Sequence, residues 1–171
     1  MKKLVFVIGI LCLAFMFAGC TNGDSDDTTG GTGLATGVFV DGAIETFDVA
    51  DNEICMEDGK PVIRLYSTTW CPHCVWVADS FDSVAKEYVD AGKIVAYHWE
   101  FDTGDNTLTP GVEDGVPESE RAIYDQFNPN GTIPTFVFGC KYYRTGTGHE
   151  AEDDLTAEEN EFRAIIEELL K

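Results

Sequence analysis

The sequence predicts a single α/β domain, and three observations carry this prediction. Apolar segments of strand length alternate with segments of helical periodicity, a Cys-x-x-Cys motif lies between one such strand and the following helix, and the C-terminal segment repeats apolar residues at helical spacing. Alternating strands and helices are typical of α/β proteins. The domain spans residues 37–171, about 135 residues, which is enough for one hydrophobic core and too few for two domains.

The first nineteen residues have the pattern of a targeting segment. Lys2 and Lys3 precede an apolar run over residues 4–17 that is too short for an ordinary transmembrane helix, and small residues then lead to Cys20. This pattern resembles a bacterial lipoprotein signal peptide covering residues 1–19. The resemblance implies cleavage before Cys20, lipidation of Cys20, and anchoring on the periplasmic or cell-surface side of a membrane. Phe17 stands where leucine is usual, which leaves ordinary cleavage or an uncleaved anchor as alternatives.

Residues 20–36 are predicted to be a flexible acidic tether that begins at the lipidated Cys20. Gly, Thr, Asp and Ser dominate this segment, and it lacks hydrophobic periodicity. The next segment, Val38–Ile44, carries an Asp-Gly turn signal between apolar residues. It is therefore expected to form an N-terminal hairpin extension of the domain.

The first half of the domain is predicted to contain two strands around one helix. A loop over residues 55–61 leads into an apolar strand, Val62–Tyr66. The following helix carries apolar residues at spacings of three and four and is expected to end near Gly92. Residues 93–100 then form a second buried strand.

The second half is predicted to contain a loop, a helix, two strands and a final helix. The loop over 102–117 is acidic, and the helix over 118–127 is expected to have Ser119, Glu120 and Arg121 on its solvent side or in its first turn. A strand opened by proline covers 132–140, and residues 141–144 precede a Gly-Thr-Gly turn. The last helix, over about 156–170, keeps the helical spacing of five apolar residues: Phe162, Ile165, Ile166, Leu169 and Leu170.

The Cys71-Pro72-His73-Cys74 motif is placed to exchange disulfides. A thiolate is the attacking species, and the free amides and dipole of a helix N-terminus stabilise negative charge on Cys71. Cys71 is therefore the predicted nucleophile, and Cys74, one turn deeper, is predicted to resolve the mixed disulfide. His73, when charged, favours the Cys71 thiolate and hence the reduced form, which makes the disulfide a stronger oxidant.

A metal-handling module is the alternative of a different class. It would bind copper or zinc through Cys71, Cys74 and either His73 or His149. The sequence has no second Cys-x-x-Cys and no His-x-x-x-His at metal-ligand spacing, which favours redox exchange without a metal or another cofactor. An inert structural disulfide is a further alternative.

Two separated motifs in the right order, Trp70–Cys74 and Ile133–Thr135, make residues 61–171 resemble the thioredoxin fold. The resemblance implies a central mixed sheet flanked by helices, and a cis peptide bond before Pro134. It also implies that Pro134 lies against the Cys71 sulfur and that the backbone of Ile133 pairs with an incoming protein substrate. Trp70 and Pro72 would belong to the same substrate-binding face.

The Cys-Pro-His-Cys sequence is similar to that of the DsbA-type periplasmic disulfide oxidants. Those proteins carry a large helical insertion before the cis-proline strand, whereas only about thirty residues separate Trp99 from Thr132 here. The chain thus resembles a single thioredoxin-like domain with an oxidant-like motif. Oxidant, reductant and isomerase activities all stay open, and a reductant would draw electrons from a membrane redox partner.

The resemblance also identifies a candidate proton relay. Thioredoxins place a buried aspartate beneath the resolving cysteine, and the corresponding position here is Leu65. The lysine that usually neighbours it corresponds to His98. An imidazole titrates in the useful pH range, so His98 is a candidate proton acceptor when Cys74 attacks. A packed structural histidine is the alternative.

Four cysteines remain after Cys12 leaves with the signal peptide and Cys20 takes the lipid. An even remainder outside the cytosol suggests a second disulfide beside the Cys71/Cys74 pair. In the thioredoxin fold the cis-proline strand runs antiparallel to the active-site strand, which would bring Cys140 close to Cys55. A structural disulfide between these two is therefore expected, with free buried thiols as the alternative.

The chain is strongly acidic, with a formal charge of −20 that becomes −22 once Lys2 and Lys3 are removed. This charge argues against nucleic acid as a partner and against anionic-lipid contact beyond the anchor. It fits a self-repelling surface, and a monomer is expected. The acidic loop around Asp105 and Glu113 matches no complete calcium-binding pattern and is expected to be solvated.

Overall fold

The computed structural model describes residues 43–171. The signal peptide, Cys20, the tether and most of the expected hairpin over 38–44 lie outside the described residues. The helices are α1 (Pro72–Asp90), α2 (Glu118–Phe127) and α3 (Leu155–Leu169), with a short 3-10 helix at Glu150–Glu152. The strands are β1 (Asp48–Val49), β2 (Met56–Glu57), β3 (Lys60–Ser67), β4 (Val95–Glu100), β5 (Asp105–Asn106), β6 (Thr135–Phe138) and β7 (Tyr142–Thr145).

Within residues 43–171 the seven strands form a mixed sheet flanked by three helices, so the α/β prediction is confirmed. The strand order is β1-β7-β6-β3-β4-β5, and β2 pairs with β3 off this path. Strands β3 and β4 are parallel, whereas β6 runs antiparallel to β3. The sheet therefore has at its centre the strand that leads into the Cys-x-x-Cys motif.

The core has two layers because alternate strand residues point to opposite faces of the sheet. On one face, α1 and α3 cover an aromatic and aliphatic cluster that includes Leu65, Phe136 and Phe162. On the other face, α2 covers a second cluster that includes Tyr66 and Val137. The Cys-x-x-Cys motif, at the start of α1, lies at the edge of the first layer.

Helix α1 begins and ends where the sequence predicts. Pro72 occupies the first helical turn, where its missing amide hydrogen costs nothing. Gly92 has φ +70°, a conformation that glycine adopts without strain and that terminates the helix just beyond Asp90. The buried face of the helix runs from Cys74 through Val77 and Phe81, which fixes Cys74 on the side that packs against the sheet.

Two segments predicted as loops contain short strands. Residues 55–61 form a hairpin in which β2 pairs with β3 around Asp58 and Gly59, which have φ +50° and +74°. Two central residues with positive φ define the type I′ turn for which Asp-Gly is the typical sequence. The acidic loop over 102–117 contains β5, which pairs with β4. Strands of two residues are too short to give a periodic signal.

Glu120 lies in the first turn of α2, one of the two placements expected for it, and it is buried. Its carboxylate accepts hydrogen bonds from Arg64 Nε (2.8 Å) and Nη2 (3.1 Å), and from the Tyr66 hydroxyl (3.1 Å). Burial, together with the charge of Glu120, raises the pKa of Tyr66. This buried ion pair joins α2 to β3, and the Glu120 carboxylate neutralises the charge of Arg64 in the protein interior.

A second buried ion network fastens the loop that follows β7. Arg144 Nη2 donates to Glu158, and Arg144 Nη1 lies 3.3 Å from Glu161 Oε2. Glu158 also accepts from the backbone amides of Gly148 and His149, both at 3.0 Å. Since Glu158 is wholly buried on α3, the loop over 146–149 is fixed to that helix.

Candidate functional site

Cys71 and Cys74 are free thiols at the N-terminus of α1. Cys71 is the N-cap residue and is 6% exposed, whereas Cys74 is 1% exposed beneath it. The structure thus places the predicted nucleophile nearer the surface and the predicted resolving thiol in the interior.

The Ile133–Pro134 peptide bond is cis, as the resemblance implied, and the loop that contains it lies against Cys71. The Cys71 Sγ atom is 3.9 Å from the Ile133 carbonyl oxygen. This is the contact between the two sequence motifs, which are 62 residues apart. A cis X-Pro bond is uncommon in folded proteins and is usually a retained feature of a tight turn.

Asn128 holds the cis-proline loop and was not singled out by the sequence. Its side-chain Nδ2 donates to the Thr132 carbonyl and to Thr135 Oγ1, the second at 2.8 Å. Its Oδ1 accepts from the Thr132 amide and hydroxyl, at 3.3 and 3.1 Å. One buried carboxamide therefore satisfies polar groups on both sides of Pro134. An asparagine just beyond a helix C-terminus is a frequent capping residue, so this position carried no distinct signal.

Burial raises the pKa of the Cys74 thiol to about 12, and the neighbouring Cys71 adds to this effect. The backbone amide of Thr68, and to a smaller extent its hydroxyl, act in the opposite direction. Among the described residues Thr68 Oγ1 has no hydrogen-bond partner, so it is free to donate to a Cys74 thiolate when one forms. Cys74 is therefore protonated at neutral pH and needs a proton acceptor in order to attack.

The pH dependence of alkylation should report the raised pKa of the Cys74 thiol. Burial is the main cause of the raised pKa of Cys74, and it persists in a Cys71→Ser variant, so we expect the reaction of Cys74 with iodoacetamide there to rise about tenfold per pH unit between pH 7 and 9. Peptide mass spectrometry after timed quenching measures this rate. A rate that levels off below pH 9 would contradict the raised pKa of Cys74.

His73 is exposed, and its ring is held by a residue that the sequence analysis did not identify. His73 Nδ1 lies 2.8 Å from Glu150 Oε2, and the Thr147 hydroxyl donates to the same oxygen at 2.6 Å. Burial alone would raise the pKa of Glu150, but the hydrogen bonds from Thr147 and His73 lower it. Glu150 thus presents a negative charge to the helix that carries the motif.

Exposed apolar side chains surround the motif. Trp70 is 70% exposed immediately before Cys71, and Val75 is 60% exposed one turn after it. Pro72 is also exposed between them. Large apolar groups in water at such a position favour contact with another polypeptide. Trp76 is only partly exposed, and its indole donates to Asp153 at 2.9 Å.

His98 lies opposite Leu65 in the parallel register of β3 and β4, and it is buried. Its Nε2 is 2.7 Å from Ser67 Oγ, and its Nδ1 is 2.6 Å from Asp82 Oδ1. Both ring nitrogens are therefore engaged, and neither forms a hydrogen bond with Cys71 or Cys74. Ser67 is itself buried, so a substrate has no access to its hydroxyl.

Cys55 and Cys140 form the expected disulfide, with Cα atoms 5.3 Å apart and a sequence separation of 85 residues. The Cys55 amide also donates to the Gly139 carbonyl at 2.9 Å. The bond joins the residue before β2 to the turn between β6 and β7. It therefore lies at the opposite end of β6 from the cis-proline loop.

Among residues 43–171 no group of three or more His, Cys, Asp or Glu side chains is arranged to hold a metal ion. His149, one of the ligands considered for the metal-handling alternative, has its Nε2 3.3 Å from Glu161 Oε2. In the acidic loop, the Glu113 carboxylate accepts from the Thr109 hydroxyl and the Asn106 amide. The Glu113 carboxylate therefore bonds to groups of its own loop.

Comparison with known proteins adds no relatives to this description. No protein-family model matches the chain, and no curated protein is significantly similar to it. In the described part of the chain, every helix is too short or too polar to cross a membrane.

Proposed function

We propose that this protein is a thiol-disulfide oxidoreductase that exchanges disulfides with protein substrates through Cys71 and Cys74. The observation that carries the proposal is the contact between two motifs that are distant in sequence. The Sγ atom of Cys71, at the N-terminus of α1, lies 3.9 Å from the carbonyl oxygen of Ile133, the residue before the cis proline. The exposed Trp70 and Val75 add an apolar surface on which a substrate chain can rest.

In the reducing direction, the Cys71 thiolate attacks one sulfur of a substrate disulfide. This step forms a mixed disulfide and releases the other substrate sulfur as a thiolate. Cys74 then loses its proton and attacks Cys71 Sγ, which releases the second substrate thiolate and leaves a Cys71–Cys74 disulfide. Two electrons pass from the protein to the substrate, and the oxidising direction is the reverse of these steps.

Ser67, His98 and Asp82 form a hydrogen-bonded chain in the layer beneath α1. Ser67 and His98 are buried, whereas the Asp82 side chain is one quarter exposed. Hydrogen bonds of 2.7 and 2.6 Å connect the three groups in that order. In our proposal His98 is the proton acceptor that compensates for the apolar Leu65 and assists ionisation of Cys74.

The mixed sheet, the cis proline and the position of α1 support a thioredoxin-like fold. The disulfide between Cys55 and Cys140 supports an oxidising, extracytoplasmic location, because such bonds are rare in reducing compartments. We place the protein on the outer side of a membrane through lipid on Cys20, where a membrane redox partner would reset the Cys71/Cys74 pair.

The direct test is turnover of a fluorescence-quenched peptide disulfide in the presence of a thiol reductant, with the Cys71→Ser/Cys74→Ser double variant as control. We expect catalysed cleavage by the wild-type protein and only the background rate with the double variant. Equal rates would contradict the proposal. Stoichiometric binding of copper or zinc by the reduced protein, without catalysed exchange, would favour the metal-handling alternative.

A further inference from the structure

A groove of about 480 Å³ lies on the α2 side of the sheet, the face opposite α1 and α3. It runs between the C-terminal end of α2 and the edge strands β7 and β1. Its lining includes the side chains of Asn52, Gln126, Asn128, Asn130, Tyr143 and Thr145.

The lining of the groove is uncharged, although the chain carries 31 acidic and 11 basic residues. Four of its residues bear carboxamides, but that of Asn128 is already bonded to Thr132 and Thr135, and Asn52 Nδ2 donates to the Cys140 carbonyl. The carboxamides of Gln126 and Asn130 are exposed, and each can donate and accept hydrogen bonds as a peptide group does. Tyr143 and Phe127 lie side by side, with ring centroids 5.3 Å apart, and contribute an aromatic surface. This combination of amides and aromatic rings suits an uncharged polar chain. A charged side chain bound in the groove would find no residue of opposite charge there.

The groove is continuous with the cis-proline loop. Asn128 lines the groove, and its carboxamide fixes Thr132 and Thr135 on either side of Pro134. Thr145 also lines the groove and pairs with Thr135 across β6 and β7. The next residue, Gly146, donates its amide to the Pro134 carbonyl at 2.8 Å. A polypeptide held at the cis-proline loop can therefore continue into the groove.

We propose that this groove binds an uncharged polar segment of the substrate polypeptide next to its reactive cysteine. This inference rests on the proposed function, because it assumes a polypeptide substrate. The groove itself is a surface separate from the two thiols. A neutral oligosaccharide is the other ligand class that amides and aromatic rings attract. The junction with the cis-proline loop favours the polypeptide.

The first experiment measures binding without redox chemistry. The full-length chain with Cys71→Ser and Cys74→Ser is titrated with a cysteine-free peptide of Gly, Ser and Asn, and nuclear magnetic resonance follows the side-chain amide signals. We expect saturable shifts at Asn52, Gln126 and Asn130, and a smaller response to the same peptide carrying two aspartates. No shift with the neutral peptide would overturn the inference, as would shifts produced only by a neutral oligosaccharide.

The second experiment places a charge in the groove without changing side-chain shape. Asn130→Asp and Gln126→Glu alter exposed groove residues, and Asn160→Asp makes the same change on the exposed face of α3. We expect the groove variants to lose about fivefold in kcat/KM for a peptide disulfide flanked by Gly, Ser and Asn, and to keep their rate with oxidised glutathione. Asn160→Asp should change neither rate.

The outcomes separate this inference from the proposed function. Equal losses in the groove variants and in Asn160→Asp would indicate a general charge effect and would overturn the groove. Absence of exchange with both substrates in the wild-type protein would contradict the proposed function. The titration of the redox-inactive protein would still decide whether the groove binds a peptide.

Discussion

Replacement of Cys71 by serine should abolish exchange, whereas replacement of Cys74 by serine should trap the substrate. Cys71 is the thiol at the helix N-terminus and beside Ile133, so its loss removes the proposed nucleophile. We expect turnover of a peptide disulfide to fall on the order of a thousandfold or more in Cys71→Ser. Serine has nearly the shape of cysteine, so the fold should be kept.

The Cys74→Ser variant leaves the nucleophile intact and removes the group that releases the product. Mixed disulfides between Cys71 and substrate cysteines should therefore accumulate and be visible on non-reducing gels and by mass spectrometry. Adducts that accumulate in Cys71→Ser and not in Cys74→Ser would exchange the two roles. Full turnover in both single variants would contradict the assigned chemistry altogether.

Removal of the Cys55–Cys140 disulfide should cost about 3–5 kcal/mol in the free energy of unfolding, because the bond closes a long loop and restricts the unfolded chain. Few domains have more than about 15 kcal/mol of stability in total. Urea denaturation of the Cys55→Ser/Cys140→Ser variant, followed by tryptophan fluorescence, measures the change in midpoint.

The matched control for this measurement is the Cys71→Ser/Cys74→Ser variant, compared with the wild-type protein under conditions that reduce Cys71 and Cys74 and leave the Cys55–Cys140 bond intact. It alters the same number of cysteines without opening the structural disulfide, so we expect a midpoint close to that of the wild-type protein. A loss below about 1 kcal/mol on removal of the Cys55–Cys140 bond would contradict its stabilising role.

The sequence was most informative where chemistry or periodicity is local. Helix α2 begins at Glu118 and ends at Phe127 as its pattern predicted, and β3 follows the apolar run before the motif. The contact between Cys71 and the cis-proline loop followed from two short motifs in a known order. The partner of Cys55 followed from the antiparallel arrangement that the same resemblance implied.

The partners of polar side chains could not be predicted in this way. Glu120 meets Arg64 across 56 residues, and Glu150 meets His73 across 77 residues. Each contact depends on how two elements pack, and neither partner has a local pattern that marks it. Asp82, whose carboxylate bonds to the His98 ring, looked like any acidic residue on a helix. Its partner His98 lies on a neighbouring strand, so the local sequence gave no sign of the contact.

The reduction potential of the Cys71/Cys74 pair decides whether these two thiols form a redox-active disulfide. The full-length protein is equilibrated with glutathione redox buffers, quenched, and analysed by differential alkylation of Cys71 and Cys74. We expect a reversible disulfide between these two residues. Its reduction potential should lie between about −270 mV, typical of reductants, and about −120 mV, typical of strong oxidants. A pair that never forms this disulfide, or one more negative than about −300 mV as structural disulfides are, would contradict this expectation.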